Sequence, residues 1–149
     1  VSYVKPHGAL YNTIVEDVAV AQAVVDAAVS TGGDLAVMGL PGSAVLRLAA
    51  AAGLPTIGEA FADRAYTSAG TLVPRGLPGA VLHDVDEVVA RVVHLAVARE
   101  VVAIDGTAVP VAADTVCVHG DTPESVAMAR AVRRALSGAG VVVERFRPR

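Results

Sequence analysis

Tryptophan is absent from this chain, lysine and cysteine occur once each, and aromatic residues make up 3 % of it. Each scarcity excludes something. The single cysteine, Cys117, leaves no internal disulfide and fits a reducing compartment, so a cytoplasmic protein is expected. Inside an apolar strand it reads as a small filler rather than a nucleophile. Without a cysteine pair or an H-E-x-x-H pattern the sequence offers no structural zinc site. There is no Walker loop and no G-x-G-x-x-G, so no standard nucleotide loop is present. No uncharged apolar run reaches the ~18 residues of a membrane span, and the first residues lack the form of a signal peptide. Net charge is −3. The one basic cluster, Arg145-Phe146-Arg147-Pro148-Arg149, is too short to indicate nucleic-acid binding.

What remains is alanine and valine, which supply most of a 54 % hydrophobic content in 149 residues. That length suits one domain. A core of many small side chains is expected where Ala-rich helices pack on Val-rich strands. Val1 to Val4 reads as a strand. The chain opens directly in it on a residue other than Met, and the expectation is that an N-terminal part precedes it. Thr13-Ile14-Val15-Glu16 has the form of a capping box, with a helix from Ile14 to about Ser30 stopped by Gly32-Gly33. Leu35 to Gly39 has the form of a strand buried on both faces. Ser43 caps a short helix to about Ala52, and Pro55 to Glu59 is the next strand.

Ala60 to His83 shows no strong period, which in a compact domain marks a functional loop. Asp84 to Glu87 is a second box-like start for a helix to about Glu100. Val101 to Ile104 and Ala108 to Val111 flank an Asp105-Gly106 turn and predict a hairpin. Thr115 to His119 predicts a buried strand. A helix follows with Thr122 as N-cap and Pro123 at its first position, then a last strand at Val141 to Glu144. This alternation predicts an α/β fold with a parallel sheet, open or closed.

In such folds function collects at the carboxyl ends of strands. The first strand delivers Lys5, the sole lysine against eleven arginines, and His7. The strand at Pro55 delivers Glu59, with Asp63 and Arg64 beyond. The strand at Thr115 delivers His119 and Asp121. Bland readings accompany these. Asp121 caps a helix with Thr122, Glu59 pairs with Arg64, and Tyr11 and Tyr66 serve as lid or packing residues. His83 and His94 read as surface or packing histidines.

Four stretches are familiar together: VKPHGALYN at 4–12, GEAFADRAY at 58–66, GTLVPRGLPGAVLHD at 70–84 and CVHGDTPESVAMARAVRRAL at 117–136. In that order they resemble the LamB/YcsF family, identified as the A subunit of prokaryotic 5-oxoprolinase. The resemblance implies an irregular seven-stranded β/α barrel, as in glycoside hydrolases and polysaccharide deacetylases. It implies ATP-dependent opening of the 5-oxoproline lactam to L-glutamate, with Mg alongside ATP, in a complex with the B and C subunits. Family members also carry N-D-x-G-E-like, A-C-G-x-H-x-G-D-like and G-A-H-P-like segments, which this sequence lacks. The chain therefore looks like the C-terminal portion, a partial barrel whose open edge is suited to pairing with another copy.

On that reading Lys5 and Arg64 face substrate carboxylate or developing phosphate charge. His7 or Asp121 acts as base toward water, and His119 as acid toward the leaving nitrogen. Glu59 or Asp63 orients these groups or holds a divalent ion, and Tyr66 and Arg75 are counted with the substrate-binding residues. Two other readings use the same strand ends. One is a metal-assisted amidohydrolase or deacetylase with His7, His119 and Asp121 near the metal. The other is a binding subunit without chemistry of its own.

Overall fold

The computed structural model describes residues 1–32, 35–120 and 124–145. Contacts divide them into two compact units, residues 1–59 with 113–115, and residues 60–112 with 116–145. The strands of the main sheet lie in the order β1 (Tyr3–Val4), β2 (Ala36–Gly39), β3 (Thr56–Phe61) and β6 (Thr115–Cys117). Register is parallel from Tyr3 opposite Ala36 through Gly39 opposite Gly58. Beside β3, Asp114 N–H donates to Gly58 O, and Ala62 N–H donates to Cys117 O, so β6 also runs parallel. Its three residues are half-buried, where the sequence predicts a longer and fully buried strand. Parallel strands joined through helices give the expected α/β class and agree with part of a β/α barrel.

The first unit carries α1 (Gly8–Glu16), α2 (Val18–Ser30) and α3 (Ala44–Ala51). Ile14, Ala21, Val25, Val37, Val45 and Ala49 are fully buried together. Alanine and glycine allow the close approach. A Cβ at Gly39 would stand 3.1 Å from Val45 Cγ1. Helix starts at Gly8, not Ile14, and it breaks at Asp17. Thr13 does not cap, because its hydroxyl donates back to Ala9 O at 3.0 Å inside α1. Asp17 leaves the helical region at φ −74°, ψ 103°, and its carboxylate accepts from Val20 N–H at 3.0 Å to start α2.

The second unit carries α4 (Val85–Ala98), the β4 (Glu100–Val102) and β5 (Ala108–Pro110) hairpin, and α5 (Ser125–Gly138). Val88, Val92, Met128, Val132 and Leu136 join the two helices around Ala62. Asp84 caps α4 through Glu87 N–H at 2.8 Å, as its spacing predicts. The hairpin forms with Val101 opposite Val109. Asp105 sits in the turn and accepts from Thr107 N–H at 3.0 Å. Arg99, at φ 58°, ends α4 in a left-handed cap before the chain enters β4.

Two differences lie at the end. The N-cap of α5 is Glu124, while Thr122 and Pro123 fall outside the described residues. Val141 to Glu144 forms no strand. Val141 N–H is used to close α5 on Leu136 O at 2.9 Å behind Gly140 at φ 76°, and Val142 is 82 % exposed. That is a helix-closing motif rather than the start of a ladder.

Ile14→Ala should cost about 2–5 kcal/mol in urea unfolding, against about 1 kcal/mol for Asp17→Ala. Equal costs would mean that the helical pair depends on its ends more than on its core. The Thr107 amide holds the Asp105 carboxyl below its usual range. The turn is therefore strengthened above the ordinary carboxyl value near 4 and loses that support as pH falls through the lower folded value. Amide exchange of Val101 and Val109 should accelerate there, and Asp105→Asn should remove the dependence.

Candidate active site

Besides the exposed His94–Glu100 contact at 3.0 Å, each unit holds one shielded pair of ionisable side chains among the described residues. In the first unit Lys5 leaves β1 and its ammonium reaches Glu59 Oε1 at 2.5 Å. Glu59 points inward from β3 with 4 % of its side chain exposed, against 17 % for Lys5. The Lys5 ammonium also lies 5.9 Å from the centre of the Tyr11 ring. Glu59 Oε2 is buried without a hydrogen-bond partner among the described residues. His7 is the N-cap of α1, exposed, and its side chain makes no capping bond. Asp121 lies outside the described residues.

In the second unit Asp63 follows β3 closely. Both of its carboxylate oxygens stand 2.8 Å from His119 Nδ1. A carboxylate only accepts, so Nδ1 carries the hydrogen and Nε2 carries the lone pair in the neutral ring. Asp63 is 6 % exposed. The His119 ring stacks on Phe61 with centroids 5.6 Å apart and planes 18° apart. Phe61 is anchored in turn, since its N–H donates to the Tyr66 hydroxyl at 2.9 Å. Buried at 0 % exposure, Tyr66 also has the Arg91 guanidinium over its ring at 5.5 Å and accepts Ile104 N–H on its carbonyl. It works as a strut beneath the histidine.

The segment from Ala60 to His83 is irregular in period but tightly bonded. Arg64, 4 % exposed, donates from Nε to Ala80 O at 3.2 Å and from Nη2 to Val73 O at 2.6 Å. Burial, and then Arg75, hold its guanidinium below the ordinary arginine value, with Asp63 and Tyr66 opposing. Arg64 therefore pins the segment, and Glu59 takes Lys5 rather than Arg64 as its partner. Leu82 N–H donates to Asp63 O at 2.9 Å. That bond returns the segment to its own beginning, beside a cavity of about 190 Å³ lined by Asp63, Arg75, Val81, Leu82, His83, Glu124 and Met128.

His83 and Glu124 stand at no strand exit, and their place in the sequence gives no sign of a site. His83 has the look of a surface histidine before a helix cap, yet the Leu82 to Asp63 bond carries it to the cavity. Among the described residues no three His, Cys, Asp or Glu side chains converge as metal ligands, and no helix is long and apolar enough to cross a membrane.

The chain matches the LamB/YcsF family over residues 1–149. It is 62 % identical over 146 residues to the 5-oxoprolinase A subunit of Streptomyces griseus subsp. griseus, covering 98 % of this chain and 58 % of that protein. Its identity to the 5-oxoprolinase A subunit of Cutibacterium acnes is 59 % over 145 residues, 95 % of this chain and 57 % of that one. Its fold is similar to the crystal structure of the lactam utilization protein from Thermus thermophilus, with TM-score 0.88 and 41 % identity, covering 97 % of this chain and 57 % of that one. The chain thus spans 57–58 % of the length of these curated relatives.

Tyr66→Phe should destabilise the second unit by about 1 kcal/mol, since it removes the hydroxyl that accepts from Phe61 N–H. Arg64→Lys should not substitute for arginine, because one ammonium lacks the fork that spans two carbonyls. A thermal melt of Arg64→Lys matching wild type would remove the pinning role.

Proposed function

Because this chain belongs to the LamB/YcsF family, we propose that it acts as part of a 5-oxoprolinase A subunit, in a hydrolase that opens the 5-oxoproline lactam to L-glutamate. The observation that carries the mechanism is the Asp63–His119 pair, with both Asp63 oxygens 2.8 Å from Nδ1. A histidine held in that tautomer offers Nε2 as a base. Nε2 takes a proton from water as its oxygen bonds to the lactam carbonyl carbon. The carbon–nitrogen bond then breaks, and the same Nε2–H returns the proton to the leaving nitrogen. Phe61 keeps the ring plane fixed between the two transfers, and Asp63 stabilises the imidazolium between them. His119 thereby serves as base and acid in turn.

The lactam is a resonance-stabilised amide, and the proposal includes ATP with Mg²⁺ as the source of its activation. The second unit's cavity does not fit the nucleotide. Its volume is about 190 Å³, below the ~300–1,000 Å³ of pockets for drug-sized ligands. The phosphoryl donor thus belongs on another surface, and the proposal places this chain with B and C subunits in the cytoplasm. Lys5, ion-paired with Glu59 in the first unit, keeps its proposed role as a cation for negative charge on that unit's own surface.

In the assembled full-length enzyme, His119→Gln and Asp63→Asn should each lower ATP-coupled glutamate formation by about 10²–10⁴-fold. Lys5→Ala should lower it as well. Turnover near wild type in the His119 and Asp63 variants, measured as glutamate released per ATP, would move the chemistry elsewhere.

A further inference from the structure

The cavity beside Asp63 has walls of mixed hydrogen-bonding character. Arg75 and His83 bring N–H donors. Asp63 and Glu124 bring carboxylate acceptors, and Val81, Leu82 and Met128 supply an apolar surface. A simple anion would meet two carboxylates there. A simple cation would meet the Arg75 guanidinium. The arrangement suits a small molecule that carries a carboxylate and an N–H group on a short aliphatic body.

Size narrows the choice. A volume of about 190 Å³ corresponds to about six waters at their share of the liquid. It is below the ~300–1,000 Å³ of pockets for drug-sized ligands. That volume has room for a ligand with the bulk of one amino acid. Position narrows it again. Asp63 is engaged by His119 through both oxygens, so it shares a wall with the ligand while holding the reactive ring. Among the described residues that line the cavity, Glu124 at the start of α5 is the other carboxylate, exposed, and it can accept the ligand's N–H.

We infer that this cavity is a carboxylate-recognition pocket for the lactam amino acid. Arg75 and His83 grip the ligand's carboxylate, and Glu124 accepts its N–H. The inference rests on the 5-oxoproline reading above and adds to it the residues that select the substrate. His83 and Glu124 become specificity residues, distinct from the Asp63–His119 pair that moves protons.

Calorimetry with the full-length protein tests binding separately from turnover. The probes are 5-oxoproline, L-glutamate, 2-pyrrolidinone, which keeps the lactam but lacks the carboxylate, and inorganic phosphate. Wild type should bind 5-oxoproline at least tenfold more tightly than 2-pyrrolidinone, a comparison that needs no variant. Arg75→Met and His83→Asn should each weaken 5-oxoproline tenfold or more while leaving 2-pyrrolidinone unchanged, so the ratio collapses. A role confined to folding would move both ligands together. Equal binding of the two lactams by wild type, an unchanged ratio in both variants, or phosphate competing as well as 5-oxoproline overturns the pocket. Loss of the ratio in the variants, with no glutamate formed by the assembled wild-type enzyme, would support the pocket and overturn the proposed reaction instead.

Discussion

A guanidinium buried at Arg64 obliges the chain to bring acceptors to it, because an unpaired charge in an apolar interior is too costly to keep. The acceptors are the carbonyls of Val73 and Ala80, nine and sixteen residues onward. Meeting that requirement turns a stretch without regular period into a closed excursion. Its two ends are joined by the Leu82 to Asp63 bond, and Tyr66 fills its interior. The cavity beside Asp63 follows from that closure. Arg64 thus shapes the site through the backbone it gathers.

The same strand exit supplies two kinds of carboxylate. Glu59, inside β3, faces an ammonium. Asp63, just past the end of β3, faces an imidazole. An ammonium and an imidazole differ in what they can do near neutral pH, since only the second changes its proton readily. The Asp63 pair is therefore suited to proton transfer and the Glu59 pair to holding charge.

Much of the scaffold is legible from composition and spacing. The Ser43 and Asp84 caps, the buried run of β2 and the Asp105-Gly106 hairpin each rest on local rules that tertiary structure does not override. The first helix departs from its pattern because Gly8, which has the look of a turn residue, begins the helix at φ 60°. Asp17 breaks it because an aspartate can serve as a cap in the middle of an otherwise helical pattern. Val141 to Glu144 has strand-like residues but no ladder, and apolar composition alone does not supply a neighbour. For the site, strand ends pick out the members of both ion pairs. His83 is hidden in the sequence because nothing in a linear pattern announces a hydrogen bond between Leu82 and Asp63. Long-range closure of a loop is a property of the folded backbone.

Within these 149 residues Lys5 is the only side-chain amine. Acylation chemistry directed at side chains in this stretch, whether by a reagent or by a modifying enzyme, has a single address. An acetyl group there would remove the positive charge next to a carboxylate that is only 4 % exposed. One neutralised amine would thus leave a shielded anion without its countercharge, a cost borne by the whole strand exit.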